Sequence, residues 1–357
     1  MKCFLVTVPT LGAGGMERAV INICKEIINQ GHICHVYVMC GGDIAYTLPD
    51  SINVIYGNRN VKNKLGILYS YLKLRSIYKR INPSSVISFT IKYSTYVMLS
   101  LFGLDAKVFV MHRSNPYISY GRINEFLSKL LFPKATALVV QTQYTRKVFM
   151  ARYSTERVIV FPNPVRELPE YNCDDTEKII LSAGRLIKGK GFNDLIKIFK
   201  EIDRTDWKLI ILGDGPEREN LEKLIRDYSL ERNVYLLGFT NEIDEYLKKA
   251  SIFAFTSKSE GFPNALLEAM CAGLPCVSYD CLTGPSDIIE DGQNGFLVKL
   301  NDIDEFRIKL LRLMDYPMLR RCFSHSAKQL KDKHNPKVVV TEFLCNMERY
   351  INSNPPN

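Results

Sequence analysis

The amino-acid sequence predicts two α/β domains, each with helices on both faces of a parallel sheet. Short apolar runs alternate with segments of helical periodicity, and this alternation occurs twice along the 357 residues. Two prolines in residues 161–164 separate the two series. Strand–helix alternation produces parallel sheets, and 357 residues exceed the usual size of one core, so we expect two doubly wound domains.

The first series begins with an apolar run at residues 3–8, which ends at Pro9 and a glycine-containing loop at residues 12–15. A segment of helical periodicity follows, and a second apolar run spans residues 34–39. This order of strand, loop, helix and strand is the opening βαβ unit of a parallel sheet. Further strands are predicted at residues 86–89, 107–110, 137–140 and 158–160.

The second series begins at Lys178, with a strand at residues 179–181, a loop at 184–191 and a helix at 192–202. Further strands are predicted at residues 207–212, 234–237, 252–256 and 275–279. The predicted domains are residues 1–165 and 166–336. A last helix, at about residues 337–352, is expected to cross back to the first domain.

The composition is that of a folded protein, with 46% hydrophobic and 24% charged residues. No apolar stretch approaches the ~18 residues of a membrane-spanning helix, and the N-terminus does not predict a secretory signal. The ten cysteines form no CxxC pair, so reduced thiols are expected rather than a zinc site or a disulfide framework. These observations predict a cytoplasmic protein.

The charge of the chain is uneven. Residues 1–165 contain 20 Lys and Arg against 7 Asp and Glu, whereas residues 166–357 contain 27 against 31. A basic first half suits an anionic membrane or a phosphate-bearing substrate. Nucleic acid is not the predicted partner, because no recognised binding motif accompanies the charge.

The strongest motif lies between Glu260 and Glu268, which are separated by seven residues. Glu260 follows a predicted strand, and a helix is predicted from Pro263, so that Glu268 lies about two turns further on. Loop amides and the positive end of a helix bind anions, and a carboxylate accepts hydrogen bonds from sugar hydroxyls. Two glutamates on a helix usually form only a solvated face, but the intervening Gly-Phe-Pro favours a binding site.

This segment resembles the E-x7-E signature of the retaining glycosyltransferases of family 4, which have the GT-B fold of two Rossmann-like domains around a cleft. The resemblance implies that Glu260 contacts the transferred sugar and that Glu268 binds the ribose of a nucleotide. It also implies that the backbone after Glu260 holds the sugar and the diphosphate. That backbone is formed by Gly261, Phe262, Pro263 and Asn264.

A second motif is the basic loop with Arg185 and Lys190 between a predicted strand and helix. Glycines in the loop allow a diphosphate to approach the two cations. The alternative is a basic loop without a ligand. The family uses an Arg and a Lys at this spacing on the diphosphate, and the resemblance favours Lys190 over Lys188.

The glycine loop near the N-terminus fails as a dinucleotide-binding fingerprint, because Glu17 occupies the position of the last glycine. A nicotinamide-dependent dehydrogenase is therefore disfavoured. The resemblance to family 4 instead assigns Gly14 and Gly15 to the acceptor side of the cleft.

Two further segments follow predicted strands. His112 and Arg113 follow one in the first domain, where relatives place a histidine against the donor sugar; His112 is the candidate for this role and Arg113 for the acceptor side, although the two could exchange places. A lone histidine is as often structural. In the second domain, Phe239 and Thr240 are expected beside the nucleotide base by the same resemblance.

No metal ion and no cofactor beyond the nucleotide sugar are expected. Asp302 and Asp304 form a DxD sequence, which some transferases use for metal binding, but their position indicates a helix cap. Arg185 and Lys190 supply the positive charge that a leaving diphosphate requires.

Two segments predict basic amphipathic helices, residues 62–81 and residues 117–134. Either helix could lie on anionic lipid or could face the core with solvated lysines. Together with the basic charge of the first domain, they favour a peripheral association with the inner face of the cytoplasmic membrane.

The predicted function is a retaining, metal-independent hexosyltransferase that uses a UDP-hexose or UDP-N-acetylhexosamine. The expected acceptor is a polyprenyl-diphosphate-linked saccharide in the synthesis of a bacterial surface polysaccharide, such as lipopolysaccharide O-antigen or capsule. The alternatives are a nucleotide-sugar epimerase of the same fold and a non-catalytic protein that binds a nucleotide or a glycan.

Overall fold

The computed structural model describes residues 1–12, 15–40, 49, 51–58, 64–168, 172 and 176–353. Contacts divide the chain into two compact units. Unit 1 comprises Met1–Pro164 and Pro336–Asn357, and unit 2 comprises Val165–Asn335. Each unit has one wholly parallel sheet, which confirms the predicted pair of doubly wound α/β folds.

Unit 1 is built on a seven-stranded sheet. Its strands are β1 (Cys3–Val8), β2 (Ile33–Cys40), β3 (Asn53–Asn58), β4 (Ser85–Phe89), β5 (Val108–Met111), β6 (Ala137–Val140) and β7 (Val158–Val160). They are arranged in the order β3-β2-β1-β4-β5-β6-β7. The inner strands are almost continuously apolar, because helices cover both faces of a parallel sheet.

In the described residues, five α-helices connect these strands. They are α1 (Gly15–Asn29), α2 (Lys64–Ile81), α3 (Ile91–Ser100), α4 (Arg122–Leu131) and α5 (Gln143–Tyr153). Of the two predicted amphipathic segments, α2 faces the core: Leu74 and Ile77 are buried, and Lys73 and Arg75 donate hydrogen bonds to backbone carbonyls. One face of α2 therefore packs on the core of unit 1, and the first two residues of the predicted segment lie outside the described part of the chain.

Unit 2 is built on a six-stranded sheet. Its strands are β8 (Ile179–Ala183), β9 (Lys208–Leu212), β10 (Val234–Gly238), β11 (Ile252–Phe255), β12 (Cys276–Asp280) and β13 (Phe296–Lys299). They are arranged in the order β10-β9-β8-β11-β12-β13. The direction of winding reverses between β8 and β11, and ligands of such sheets bind at the carboxyl ends of the strands at this switch point.

The helices of unit 2 are α6 (Phe192–Ile202), α7 (Arg218–Asp227), α8 (Ile243–Lys249), α9 (Asn264–Ala272), α10 (Pro285–Ile288), α11 (Ile303–Asp315), α12 (Pro317–Lys328) and α13 (Leu330–Lys333). The predicted cap of α11 is confirmed, since the Asp302 carboxylate accepts a hydrogen bond from the Glu305 amide at 3.0 Å. The final helix, α14 (Pro336–Asn352), returns to unit 1, where Phe343 stacks on Phe161 with ring centroids 4.4 Å apart.

None of the helices described combines the length and the apolar character that crossing a bilayer would require.

Candidate active site

Two loops meet at the switch point of unit 2, one after β8 and one after β11. The Lys258 amide donates to the Gly189 carbonyl at 2.8 Å, and the Thr256 hydroxyl donates to the Lys190 carbonyl at 3.2 Å. Gly191 allows this approach, because its φ of +66° suits glycine and a Cβ there would lie 2.1 Å from the Thr256 carbonyl oxygen. The β8 loop, with its two predicted cations, is thus fixed against the β11 loop.

Lys190 and Glu260 form an ion pair at this junction. The Lys190 Nζ lies 2.5 Å from the Glu260 Oε1, and the two side chains are 20% and 10% exposed. Such partly buried, charge-assisted contacts are shorter and stronger than neutral hydrogen bonds, so this one holds the two side chains in fixed positions. The structure therefore joins the residue predicted to bind the diphosphate with the residue predicted to contact the sugar.

Thr283 and Gly284 contact the loop that carries Glu260 and hold it in place. The Thr283 hydroxyl donates to the Glu260 carbonyl. A Cβ at Gly284, whose φ is +104°, would lie 2.2 Å from the Pro263 ring, so only glycine fits there. Phe262 and Pro263 are buried, so a ligand can reach the backbone of this segment rather than these two side chains.

Glu268 lies in the second turn of α9, as the motif predicted, and it belongs to a cluster that sequence reasoning missed. The Arg166 Nε donates to the Glu268 Oε2 at 3.1 Å. The remaining guanidinium nitrogens of Arg166 bind both oxygens of Asp244, at 2.5 and 3.0 Å. Its carboxylate partners, Asp244 above all, raise the pKa of Arg166. Arg166 thus fixes one oxygen of Glu268 in place.

A cavity of about 510 Å³ opens beside Glu268, a size in the usual range for small-molecule sites. Its lining includes Arg185, Phe239, Thr240, Asn264 and Glu268, all of which were predicted as site residues, together with Ala183, Gly184, Leu212, Gly213, Asp214, Ile243 and Ala265.

Phe239 and Arg185 are two of the exposed side chains in this lining. Phe239 is 78% exposed, so its ring presents an open face. Arg185 is exposed and has no ion pair with any carboxylate in the described part of unit 2. No described carboxylate of unit 2 therefore neutralises its charge.

In unit 1, the predicted site residues His112 and Arg113 contact neighbouring side chains of the same unit. His112 is buried and packs on Phe149 at 4.8 Å, and burial lowers the pKa of His112 to about 4, so the imidazole is neutral at pH 7. Arg113 donates a hydrogen bond to the Asn163 side chain, which also accepts one from Gln141.

His112 also lines a cavity of about 270 Å³ in unit 1. Gly15 is the first residue of α1, and Gly14 lies outside the described residues. No group of three or more His, Cys, Asp or Glu residues in the described ranges has the arrangement of a metal site.

Comparison with known proteins identifies the family. A model described as Glycosyltransferase Family 4 matches residues 13–167, and one described as Glycosyl transferases group 1 matches residues 166–330. A lipopolysaccharide 1,6-galactosyltransferase of Salmonella typhimurium is 34% identical over 336 residues, which cover 86% of this chain and 88% of that protein. The chain belongs to glycosyltransferase family 4.

Other relatives agree with this assignment. A Campylobacter jejuni N-acetylgalactosaminyltransferase, named for a diphospho-undecaprenol-linked substrate, is 28% identical over 346 residues, 89% of this glycosyltransferase and 92% of that protein. The crystal structure of Anabaena HepE with UDP superposes with a TM-score of 0.81 at 17% identity, over 98% of this chain and all of that one. The fold is GT-B, and this glycosyltransferase groups with enzymes of bacterial surface-polysaccharide synthesis.

Proposed function

We propose that this glycosyltransferase moves a sugar from a UDP-hexose or UDP-N-acetylhexosamine to a polyprenyl-diphosphate-linked saccharide, with retention of the anomeric configuration and without a metal ion. The observation that carries the donor part is the cavity of unit 2. Its lining includes Glu268 and Arg185, which has no ion pair with a described carboxylate of this unit, and Lys190 of the same β8 loop pairs with Glu260. The UDP bound to Anabaena HepE and the lipid-linked substrate in the name of the Campylobacter relative support the choice of donor and acceptor.

The nucleoside binds in the cavity. The exposed ring of Phe239 stacks on uracil, a contact that aromatic side chains make with any base. Glu268 accepts hydrogen bonds from the ribose hydroxyls with the oxygen that Arg166 leaves available. Both contacts recognise the nucleoside without touching the sugar that is transferred.

The diphosphate binds between the β8 loop and the first turn of α9. The positive end of α9 and the cations of Arg185 and Lys190 stabilise the negative charge that develops on the leaving group. With these two cations beside the leaving group, a divalent metal is not needed for this purpose.

The chemistry is a substitution at the anomeric carbon of the donor sugar. The bond from this carbon to the β-phosphate oxygen breaks, and a bond to the acceptor hydroxyl oxygen forms on the same face. The acceptor proton passes to the leaving diphosphate oxygen, so no dedicated base is required. In this scheme Glu260 binds sugar hydroxyls, and it is not the nucleophile because the acceptor hydroxyl itself attacks the anomeric carbon on the face that the diphosphate leaves.

The experiment is UDP release from a panel of UDP- and GDP-sugars, with and without a lipid-linked saccharide in detergent. We expect release from one UDP-sugar that increases with the lipid-linked acceptor, and a product of the same anomeric configuration as the donor. UDP release that does not change when the lipid-linked saccharide is added would overturn the assignment of a lipid-linked acceptor. Tight UDP binding without any release would overturn the transferase mechanism.

Lys190→Ala and Lys188→Ala provide a matched pair of variants in one loop. Removing one fixed cation from the developing charge costs about 10²- to 10³-fold in kcat. We expect this loss for Lys190→Ala, whereas Lys188→Ala, which alters an exposed side chain two residues away, retains near-native turnover. Equal turnover of the two variants would contradict the role of Lys190.

A further inference from the structure

Lys258 connects the β11 loop to two places around the β8 loop. Its backbone amide donates to the Gly189 carbonyl at 2.8 Å. Its Nζ lies 2.7 Å from the Oδ2 of Asp194, which belongs to the first turn of α6. Lys258 stands two residues before Glu260 in the segment that follows β11. Neither contact involves a group that binds the donor in the proposed scheme, so donor binding alone does not explain this lysine.

The ion pair of Lys258 with Asp194 differs from an ordinary surface pair in its burial. The Asp194 side chain is 7% exposed and that of Lys258 is 35% exposed. The other carboxylate oxygen of Asp194 accepts a hydrogen bond from the Asn193 Nδ2 at 3.0 Å. A buried carboxylate requires a cation and hydrogen bonds, because its transfer out of water is costly. Lys258 supplies the cation, and the pair therefore holds the β11 loop to the first turn of α6.

Lys190 lies between the two points that Lys258 holds. Gly189, whose carbonyl accepts the Lys258 amide, directly precedes Lys190. Gly191 directly follows it, and the Gly191 carbonyl accepts a hydrogen bond from the Asp194 amide at 2.9 Å. The backbone on both sides of Lys190 is therefore connected to Lys258, directly on one side and through Asp194 on the other.

Two ion pairs join the same two segments in opposite directions. The Lys190 Nζ reaches the Glu260 carboxylate in the β11 loop, whereas the Lys258 Nζ reaches the Asp194 carboxylate in α6. Each segment thus supplies one cation and one carboxylate. A lysine ammonium is carried on a flexible four-carbon stem, so its place depends on how firmly its backbone and its partner are held. Loss of either pair should therefore loosen Lys190.

We propose that Lys258 and Asp194 are positioning residues, which hold Lys190 where the negative charge of the leaving diphosphate develops. We name these two residues the Lys258–Asp194 bridge. Electrostatic stabilisation requires groups that are in place before the reaction, and a misplacement of about 1 Å can cost 10²-fold in rate. The bridge acts through Lys190 and does not itself touch the substrate. The proposal rests on the proposed function, in which Lys190 binds the diphosphate.

The test measures sugar transfer, nucleotide binding and melting temperature for variants of the bridge. Lys258→Met and Asp194→Asn each break the ion pair, and Lys258→Arg keeps a cation at its place. Lys190→Ala is combined with Lys258→Met in a double-mutant cycle. Lys178→Met is the matched control, because Lys178 pairs with Asp206 at 2.7 Å on the surface of unit 2. The melting temperatures show which variants are folded.

We expect Lys258→Met and Asp194→Asn to lower kcat by similar factors of about 10- to 100-fold, whereas Lys258→Arg and Lys178→Met should stay within about threefold of the wild type. In the Lys190→Ala background, Lys258→Met should change kcat by less than about threefold, because the cation that the bridge positions is absent. A purely structural pair would give the same factor in both backgrounds. The affinity of Lys258→Met for UDP should fall about tenfold, while its affinity for UMP, which lacks the second phosphate, should stay unchanged.

Three results would overturn the proposal. The first is a loss of kcat from Lys258→Met that is equal in the wild-type and Lys190→Ala backgrounds, or absent from both. The second is an equal loss of affinity for UDP and for UMP. The third is a loss in Lys258→Met that Asp194→Asn does not share, which would make Lys258 itself a ligand of the diphosphate. The expected contrast between UDP and UMP, in a protein that transfers no sugar, would support the bridge while contradicting the proposed function.

Discussion

Replacing Arg166 with Met should weaken the binding of ribose without dismantling the cavity. Arg166 donates one hydrogen bond to Glu268 and two to Asp244, and all three side chains are partly buried. Without the guanidinium, the Glu268 carboxylate is no longer fixed and two neighbouring carboxylates lose their shared cation. A hydrogen bond to a charged group contributes about 1.5–3 kcal/mol, and partial exposure favours the lower end. We therefore expect UDP affinity to fall about tenfold.

Calorimetry with UDP and with its 2′,3′-dideoxy analogue separates this effect from a general loss of structure. The analogue lacks the hydroxyls that Glu268 is proposed to bind, so Arg166→Met should change its affinity by less than about threefold. Arg204→Met is the matched control, because Arg204 pairs with Asp315 at 2.7 Å on the surface of unit 2. That variant should bind both nucleotides as the wild type does.

An equal loss of affinity for UDP and for the dideoxy analogue would refute the reasoning, since the effect would then not pass through the ribose. Unchanged UDP binding by Arg166→Met would refute it as well. The UDP affinity of Asp244→Asn should lie between that of the wild type and that of Arg166→Met, because this variant leaves the contact between Arg166 and Glu268 in place.

Three further outcomes follow from the structure. Gly191→Ala should lower the free energy of unfolding by about 1–3 kcal/mol in denaturant titrations, because its Cβ would meet the Thr256 carbonyl, whereas Gly189→Ala has open space and should change it little. Burial lowers the pKa of His112 from 6.5 to about 4 in the folded protein. Between these two pH values the unfolded state binds more protons than the native state, so the free energy of unfolding should fall by about 3 kcal/mol as the pH drops from 6.5 to 4. His112→Gln should remove this contribution, whereas His325→Gln, at an exposed position, should retain it. A chelator should leave turnover unchanged, and a loss that Mg²⁺ restores would contradict the metal-independent mechanism.

Much of the fold was predictable because periodicity alone decides it. Helix α6 occupies residues 192–202 as predicted, since Gly191 sets its start and apolar residues recur at helical spacing. Strand β3 was not predicted: Asn53–Asn58 is an edge strand that begins and ends with asparagine. Strand β13 was also missed, because a four-residue apolar run among turn residues has no distinct period.

The candidate site was predictable only in part, because a sequence motif identifies residues but not the residues that they contact in the fold. Glu260 and Lys190 were each predicted from local spacing, but their ion pair depends on the adjacency of β8 and β11 in the sheet. Arg166 carries no local signal, since its two partners lie 78 and 102 residues away.

The sequence did not show which side of α4 packs on unit 1, for a similar reason. Periodicity shows that a helix has two different faces, but it does not show which face meets the protein. The hydrogen bonds of Asn124 to α3 decide this, and they exist only in the folded unit.

The most direct test of the central claim is the transfer of labelled sugar from a UDP-sugar into a lipid-extractable product, measured for the wild type, Glu268→Ala and Glu219→Ala. Glu219 is an exposed glutamate of α7 and serves as the control. We predict lipid-linked product from the wild type and from Glu219→Ala, and almost none from a folded Glu268→Ala. Full transfer by Glu268→Ala, or labelled product that never enters the lipid fraction, would contradict the account.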